Sequence, residues 1–316
     1  MARKRRRASF VIAVMALSLL CAGLAEVGLR ALLGESLALH EDERNLTYRH
    51  DGALGWFPIA SSSKSFTGSQ TITVRHNARG FRDEEHTTDS RPSILFLGDS
   101  FVWGYDVERA ERFTDLLAER LPEWRIYNLG VSGYGTDQEY LLLQEQFDFY
   151  KPDIVVLVMA GNDEADNGSN LRGGGYYKPY FVITDEGLQL RGTPAPVSEN
   201  HFLAQHETLA SSFLMRWLVR TWCAVSHPPE FSKPSPTRAL LHALSDFTAE
   251  RGARLIVGQN KPRQELTEFL EQEQILHLGL RTPLVFPTHG RHWTPAGHRA
   301  VCAKLLEFFE SNGLLN

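Results

Sequence analysis

The chain has 316 residues, of which 42% are hydrophobic, 22% charged and 10% aromatic, a balance that excludes disordered and collagen-like proteins. Its net charge of −5 at pH 7 argues against a general nucleic-acid binder, which would carry a basic surplus. Three cysteines are too few for a disulfide scaffold or a Cys-rich zinc module.

The N-terminus has the pattern of a secretory signal or a single membrane anchor. Basic residues at positions 3–7 precede the uncharged stretch ASFVIAVMALSLLCAGLA, residues 8–25. This stretch is just long enough for a spanning helix, and the basic cluster predicts that the rest of the chain lies outside the cytoplasm. Gly23-Leu24-Ala25 offers a cleavage site, so cleavage and retention both stay open. Whether Cys223 and Cys302 pair in such an oxidising compartment also stays open.

Composition divides the chain into three predicted parts. Residues 1–35 hold the signal or anchor. Residues 36–70 are polar and rich in serine, which predicts a linker and an extended lead-in. Residues 71–316 are predicted to form one globular domain of ordinary size.

Strand and helix patterns alternate along this domain. Thr71–His76 is predicted to be a short edge strand, and a hairpin is predicted at 181–191. Parallel strands are predicted at 93–97, 125–129, 153–160, 253–257 and 275–280. Helices are predicted at 113–121, 137–149, 201–225, 238–250, 263–273 and 301–309. The alternation predicts a three-layer α/β/α sandwich around a five-stranded parallel sheet, with active groups at the carboxyl ends of the strands.

Three of these strands end in residues suited to catalysis. Ser100 follows the first strand on a Gly-flanked turn, which exposes its hydroxyl and leaves its backbone N–H available. Gly133, after the second strand, offers an N–H with no side chain in the way. The carboxamide of Asn162, after the third strand, is a further donor, and the three donors would converge on a developing oxyanion. His292, late in the chain, is the candidate base for the serine proton.

Together these residues resemble the SGNH, or GDSL-type, hydrolases. The matching blocks are Gly98-Asp99-Ser100, NLGVSG at 128–133, Gly161-Asn162-Asp163 and HWTPAGH at 292–298. The resemblance covers about residues 93–310, and the chain is similar in detail to membrane-anchored bacterial members of the family. It implies a flavodoxin-like α/β/α sandwich that performs ester hydrolysis or acyl transfer, often on carbohydrates.

One position departs from the family pattern. The family usually has an aspartate two or three residues before its histidine, where this chain has Gly290 and His289. A carboxylate from elsewhere, a backbone carbonyl beside a Ser–His dyad, and weakened catalysis are the open explanations. We expect an active dyad or a relocated acid, because the third group mainly fixes the tautomer and stabilises the imidazolium.

The sequence therefore predicts an exported serine esterase or O-acyltransferase acting on a small ester, above all an O-acylated glycan. Ser100 and His292 are the predicted catalytic residues, and Ser100, Gly133 and Asn162 the predicted oxyanion hole. The alternative is a catalytically weakened glycan-binding or assembly protein of the cell envelope. The membrane is an expected partner through the N-terminal segment, nucleic acid is not, and the oligomeric state stays open.

No cofactor or metal is predicted, because His289, His292 and His298 have no cysteine or carboxylate cluster beside them. The Gly-rich run 172–175 lacks the continuation of a P-loop and predicts a mobile rim loop. Four aromatic residues close in sequence to the site residues are expected either to line the site or to pack in the core: Trp103, Tyr105, Tyr134 and Trp293.

Overall fold

A computed structural model describes residues 2–39 and 42–315, with the side chains of all these except 2–4 and 289. The helices are α1 (Ala2–Leu33), α2 (Glu43–Thr47), α3 (Ser100–Trp103), α4 (Phe113–Arg120), α5 (Thr136–Tyr150), α6 (Asp163–Asp166), α7 (Glu199–Gln205), α8 (Glu207–Ala210), α9 (Phe213–Ser226), α10 (Thr237–Ala249), α11 (Gln264–Gln272) and α12 (Pro295–Ser311). Short 3-10 helices lie at Arg109–Glu111 and His289–Arg291.

The strands are β1 (Tyr48–Asp51), β2 (Gly55–Pro58), β3 (Ser63–Thr67), β4 (Thr71–Arg75), β5 (Ser93–Gly98), β6 (Arg125–Asn128), β7 (Ile154–Met159), β8 (Leu171–Arg172), β9 (Tyr176–Tyr177), β10 (Tyr180–Thr184), β11 (Gly187–Arg191), β12 (Arg254–Gln259) and β13 (Leu276–Gly279). Five of them form a parallel sheet in the order β13-β12-β7-β5-β6. The predicted α/β/α fold around a five-stranded parallel sheet is confirmed.

The central strands are buried on both faces, which explains their continuous apolar sequences. Alternate side chains point to opposite faces of the sheet. Leu95 and Leu157 pack in the core that includes residues of α5 and α10. Phe96 and Val156 pack in a second core that includes residues of α4 and α12. Because helices cover both faces of the sheet, the loops that follow the strands gather at the carboxyl ends of the strands.

The prediction of a linker at 36–70 differs from the structure, because α2 and strands β1 to β3 lie within this range. Strand β4 pairs antiparallel with β3, so Thr71–Arg75 is one arm of a hairpin and not an edge strand of the main sheet. Apolar side chains separated by polar residues explain the difference. Leu54, Trp56 and Phe66 are each at least 97% buried and hold the segment in place, although serine dominates its composition.

Arg82 connects strand β4 to the loop after α3. Its guanidinium is buried and donates hydrogen bonds of 2.7–3.2 Å to four backbone carbonyls: Thr73, Trp103, Gly104 and Val107. Burial, reinforced by the nearby charge of Arg112, lowers the pKa of Arg82 to about 9. Three of these carbonyls belong to residues 103–107, so Arg82 fixes this loop, which forms part of the site.

The described chain forms two compact units, Met1–Glu41 with Val197–Pro228, and Asp42–Pro196 with Pro229–Asn316. The larger unit contains all the described strands and every predicted site residue. In the smaller unit the single helix predicted at 201–225 is three helices, α7 to α9. The break comes where Ser212 Oγ accepts a hydrogen bond from the Met215 N–H and caps a new helix.

Helix α1 is the one helix in the described part of the chain that is long and apolar enough to cross a membrane, over Arg5–Leu33. It contacts α9 within the smaller unit. On α12, Cys302 is a buried free thiol, so the disulfide that the sequence left open is not formed in this structure.

Candidate active site

Ser100 lies at the start of the one-turn helix α3, directly after β5. The Asp99 side chain caps this helix by accepting a hydrogen bond from the Phe101 N–H at 3.0 Å. Gly104, in the left-handed conformation, ends the helix. The tight strand-to-helix turn buries Asp99 and leaves Ser100 half-buried, so the Ser100 hydroxyl stands at the carboxyl end of the sheet.

His292 reaches Ser100 from the loop before α12. The Phe286 N–H donates to the His292 carbonyl at 2.8 Å, which fixes the backbone of this loop. The Nε2 atom of His292 lies 2.8 Å from Ser100 Oγ. The expected hydrogen bond between the predicted nucleophile and the predicted base is therefore present.

Two aromatic rings hold the imidazole of His292. Tyr105 stacks on it, with ring centroids 4.2 Å apart and planes 23° from parallel. The Phe101 ring contacts it at 5.1 Å. Tyr105 lies in the loop that Arg82 fixes, so Arg82 supports the position of the imidazole through this loop.

Gly290 lies against the same imidazole. Its φ is +78°, and a Cβ built on it would lie 2.9 Å from both ring nitrogens of His292. A side chain at position 290 therefore needs the volume that the ring occupies. At position 290, one of the two places where the family has its aspartate, an aspartate would therefore displace the histidine.

The predicted oxyanion donors lie on the three neighbouring strand ends. Gly133 follows β6 with φ +84°, a conformation that favours glycine. Within the described residues, neither the Ser100 N–H nor the Gly133 N–H donates to another protein group. Both amides are therefore available to a substrate oxygen.

Asn162 belongs to a network that joins the two oxyanion loops. Its Nδ2 donates to Asp166 Oδ2 at 2.6 Å, and because a carboxylate only accepts, this contact fixes the orientation of the carboxamide. Arg172 Nε lies 3.2 Å from the same carboxylate oxygen and donates to the Gly133 carbonyl at 3.2 Å. Arg172 thus ties the Gly133 turn to the Asn162 turn.

Sequence reasoning missed Asp166 and Arg172. The spacing of Asp166, four residues after Asn162 at the start of a helical turn, was a usable signal for their contact. The Gly-rich run beginning at Arg172 was expected to be a mobile rim loop, whereas the structure engages Arg172 in strand β8 and in this network. Of the four aromatic residues, Trp103 and Tyr134 are fully buried in the core and Trp293 is 2% exposed.

Buried carboxyl groups surround the base of the nucleophile turn. Burial, together with the charge of Asp166, raises the pKa of Asp99 to about 6. Burial also raises the pKa of Asp163 and Glu139 well above their usual range, and the mutual repulsion of these acids adds to it. The described residues contain no group of three or more His, Cys, Asp or Glu arranged to hold a metal ion.

Residues 96–300 match the profile of the GDSL-like lipase/acylhydrolase family, about two thirds of the chain. The chain belongs to this family. As a GDSL-like hydrolase it is a serine hydrolase, and the four blocks found in the sequence lie within the matched range. No match was found among curated proteins.

Solved structures similar to this GDSL-like hydrolase include TesA, with 12% identity and a TM-score of 0.43 over 69% of this chain and 98% of the other. The psychrotrophic esterase EstA from Pseudoalteromonas sp. shows 12% identity and a TM-score of 0.42 over 71% and 99%. A two-domain esterase active on acetylated mannans shows 12% identity and a TM-score of 0.38 over 70% and 49%.

A side chain at position 290 is expected to lower the activity of this GDSL-like hydrolase, even when it is a carboxylate. Gly290→Ala and Gly290→Asp should each reduce kcat/KM for 4-nitrophenyl acetate by at least ~100-fold, because the imidazole loses its place beside Ser100. The measurement is steady-state hydrolysis by the full-length, detergent-solubilised chain.

Gly252→Ala is the matched control. Gly252 has a similar φ of +76°, but a Cβ there meets no atom within 4 Å. It therefore carries the same backbone strain, roughly 1–2 kcal/mol, without a clash at the site. Activity that rises in Gly290→Asp, or equal losses in both alanine variants, would contradict the role assigned to this close approach.

The buried Asp99 predicts a pH dependence of stability. Its pKa of about 6 lies above the ordinary value of 3.8, so the folded state binds the proton more tightly than the unfolded state. The free energy of unfolding should therefore fall as the pH rises from about 4 to about 6, by on the order of 2 kcal/mol. Asp99→Asn keeps an acceptor for the Phe101 N–H and should flatten this fall.

Chemical denaturation at a series of pH values measures the effect. The control is Asp185→Asn, which changes an exposed carboxylate in the β10–β11 turn. A pH slope that is the same in Asp99→Asn as in the unchanged chain would show that Asp99 is not the group that titrates.

Proposed function

We propose that this chain hydrolyses small O-acyl esters through an acyl-enzyme intermediate on Ser100. The observation that carries the proposal is the 2.8 Å hydrogen bond between Ser100 Oγ and His292 Nε2. A hydroxyl is a weak nucleophile by itself, and a base at this distance activates it.

The reaction divides into two steps. In the first, Ser100 Oγ attacks the ester carbonyl while His292 Nε2 takes its proton and then delivers that proton to the leaving alcohol. In the second, His292 takes a proton from water, the hydroxide attacks the acyl-enzyme, and the acid leaves as Ser100 regains its proton. In both steps the Ser100 and Gly133 amides and the second N–H of Asn162 stabilise the oxyanion.

O-acylated carbohydrates are the substrate class that the family resemblance implies. Hydrolysis and transfer share the acyl-enzyme, and they differ in whether water or a sugar hydroxyl attacks it. We assign hydrolysis as the basal reaction, because water reaches any half-exposed acyl-serine. Addition of a sugar acceptor to the assay separates the two by the yield of free acid.

We also propose that α1 is retained as a membrane anchor, with both units outside the cytoplasm. Glu26 directly follows the candidate cleavage site, and its carboxylate accepts hydrogen bonds from Ser212 Oγ, the Phe213 N–H and the Leu214 N–H at 2.8–3.0 Å. Helix α9 thus begins on the end of the apolar stretch. It also exposes Trp222 and Val225 by 71% and 76%, as expected for a helix beside lipid headgroups.

Removal of the Ser100 hydroxyl should abolish hydrolysis. Ser100→Ala is expected to lower kcat for 4-nitrophenyl acetate by at least ~1,000-fold, because no acyl-enzyme can form. A fluorophosphonate probe should label the unchanged chain and not the variant. Ser90→Ala, an exposed serine before β5, is the control and should keep full activity and labelling. Equal activity in Ser100→Ala would remove Ser100 as the nucleophile.

Retention of α1 is measurable by mass. A C-terminally tagged chain recovered from the membrane fraction should have its full-length mass and should resist extraction by alkaline carbonate, because an apolar helix of this length stays in the bilayer. A mass that lacks the first 25 residues would show cleavage at Ala25 and would overturn the anchor.

A further inference from the structure

We propose that a cavity beside Ser100 and His292 binds an anionic group of the substrate, a carboxylate, phosphate or sulfate. The inference rests on the proposed function and specifies its substrate class. The cavity, called here the cationic cavity, has a volume of about 660 Å³, and its lining includes Phe101, Asn260, Lys261, Arg281, Arg291 and Trp293. This volume falls within the ~300–1,000 Å³ of typical small-molecule sites.

The cationic cavity adjoins the catalytic pair on one side. Phe101 follows Ser100 in the chain, and its ring contacts the His292 ring at 5.1 Å and the Trp293 ring at 4.8 Å. Trp293 follows His292. The residue next to the nucleophile and the residue next to the base therefore form one wall, and a substrate bound to Ser100 extends into this space.

On its other side the cavity reaches the oxyanion turn. The Lys261 side chain lies across the backbone of Gly161, where an added Cβ would be 2.8 Å from Lys261 Cδ. Gly161 precedes Asn162, the predicted carboxamide donor. The Lys261 ammonium thus lies close to the turn that stabilises the oxyanion.

Positive charge in this cavity is not neutralised by the protein. Lys261, Arg281 and Arg291 are exposed, and none of them forms an ion pair within the described residues. No Asp or Glu lines the cavity. By contrast, the next arginine along the chain, Arg263, pairs with Glu164. Three uncompensated cations around one cavity are notable in a chain whose net charge is −5.

The walls of the cavity strengthen the electric field of these cations. Phe101, Val285 and Trp293 supply apolar surface, which lowers the local dielectric and focuses the field of the cations. Asn260 is 5% exposed, and its Oδ1 has no hydrogen-bond partner in the described part of the chain. A buried oxygen without a partner is costly. Because this oxygen accepts, a hydroxyl of the substrate would satisfy it, while the cations hold the anionic group.

These features favour a substrate that carries its anion close to the ester. Guanidinium groups bind carboxylates, phosphates and sulfates through paired hydrogen bonds, and a lysine adds a point charge. Apolar walls beside these cations suit the ring of a sugar. An O-acylated sugar that carries a carboxylate or a phosphate or sulfate ester combines these properties.

The test compares two esters with the same acyl group, 4-acetoxybenzoate and its uncharged methyl ester. The full-length, detergent-solubilised chain should lose preference for the anionic ester when the cations are removed. We expect the ratio of kcat/KM for the two esters to fall about 3-fold in each of Lys261→Gln, Arg281→Gln and Arg291→Gln, and at least ~10-fold in the triple variant. Because the ratio is taken within one protein, a general loss of activity cancels.

Arg254→Gln is the matched control. Arg254 is exposed and begins β12, whereas Lys261 follows the end of this strand, so the control removes a positive charge at the opposite end of the sheet. In Arg254→Gln the ratio of kcat/KM for the two esters should equal that of the unchanged chain. A ratio that falls equally in Arg254→Gln would show a general effect of net charge and would overturn the site.

Ionic strength supplies a second measurement that needs no variant. Between about 0.01 M and 1 M salt the Debye length falls from ~30 Å to ~3 Å, so KM for the anionic ester should rise more than KM for the methyl ester. Inorganic sulfate and phosphate should inhibit hydrolysis of the anionic ester competitively, and the triple variant should lose this inhibition.

The outcomes separate this inference from the proposed function. Suppose that the chain hydrolyses the methyl ester and is labelled at Ser100, but that the ratio of kcat/KM for the two esters is unchanged in the triple variant and insensitive to salt. This result would overturn the cationic cavity and leave the proposed hydrolase intact. A chain that hydrolyses neither ester and is not labelled would overturn both.

Discussion

The hydrogen bond between Ser100 and His292 joins residues that are 192 positions apart, and the proposed chemistry depends on it. A parallel sheet makes it possible. Strands β5, β6 and β7 all end at one edge, so their following turns carry Ser100, Gly133 and Asn162 to the same place. The loop before α12 then brings the imidazole to that edge from the far end of the chain.

Close packing of neighbouring residues sets the position of the His292 imidazole. Tyr105 covers one face of the ring, and Gly290 approaches so closely that a side chain there would take its space. Arg82 holds the Tyr105 loop through three backbone carbonyls, and it comes from a segment outside the α/β core. Arg82, a residue far from the reaction, therefore influences the position of the His292 imidazole. These contacts place the ring 2.8 Å from the Ser100 hydroxyl, the position that a general base requires.

Charge is distributed unevenly around the nucleophile. Behind the turn lie buried carboxyl groups whose pKa values burial has raised, among them Asp99 at about 6. Beside it lie Lys261, Arg281 and Arg291, which line an open cavity. Burial disfavours the charged form of these acids, which lessens their repulsion of an approaching anion, whereas the cations at the side attract it. The same arrangement suits the oxyanion that forms during ester cleavage.

Much of this protein was accessible from its sequence, because the relevant signals are local. Continuous apolar runs such as SILFLG and IVVLVM identify strands buried on both faces, and the glycine-bounded turns after them identify Ser100, Gly133 and Asn162. The basic cluster before an uncharged stretch, which predicts the signal or anchor, is also a local signal. The lead-in was misread because its few apolar residues are separated by polar ones, so no periodic pattern shows that Trp56 and Phe66 are buried.

Tertiary structure decided what depends on backbone conformation and on contacts between distant segments. The loss of the family's aspartate was visible in the sequence, but the lack of room for a side chain at position 290 depends on a positive φ at Gly290 that sequence spacing does not encode. The link that Arg172 forms between two turns appears only when β6 and β7 lie on either side of β5. The gathering of three cations from two loops around one cavity likewise appears only when β7, β12 and β13 lie side by side. Sequence therefore determined which groups are available, and packing determined which of them meet.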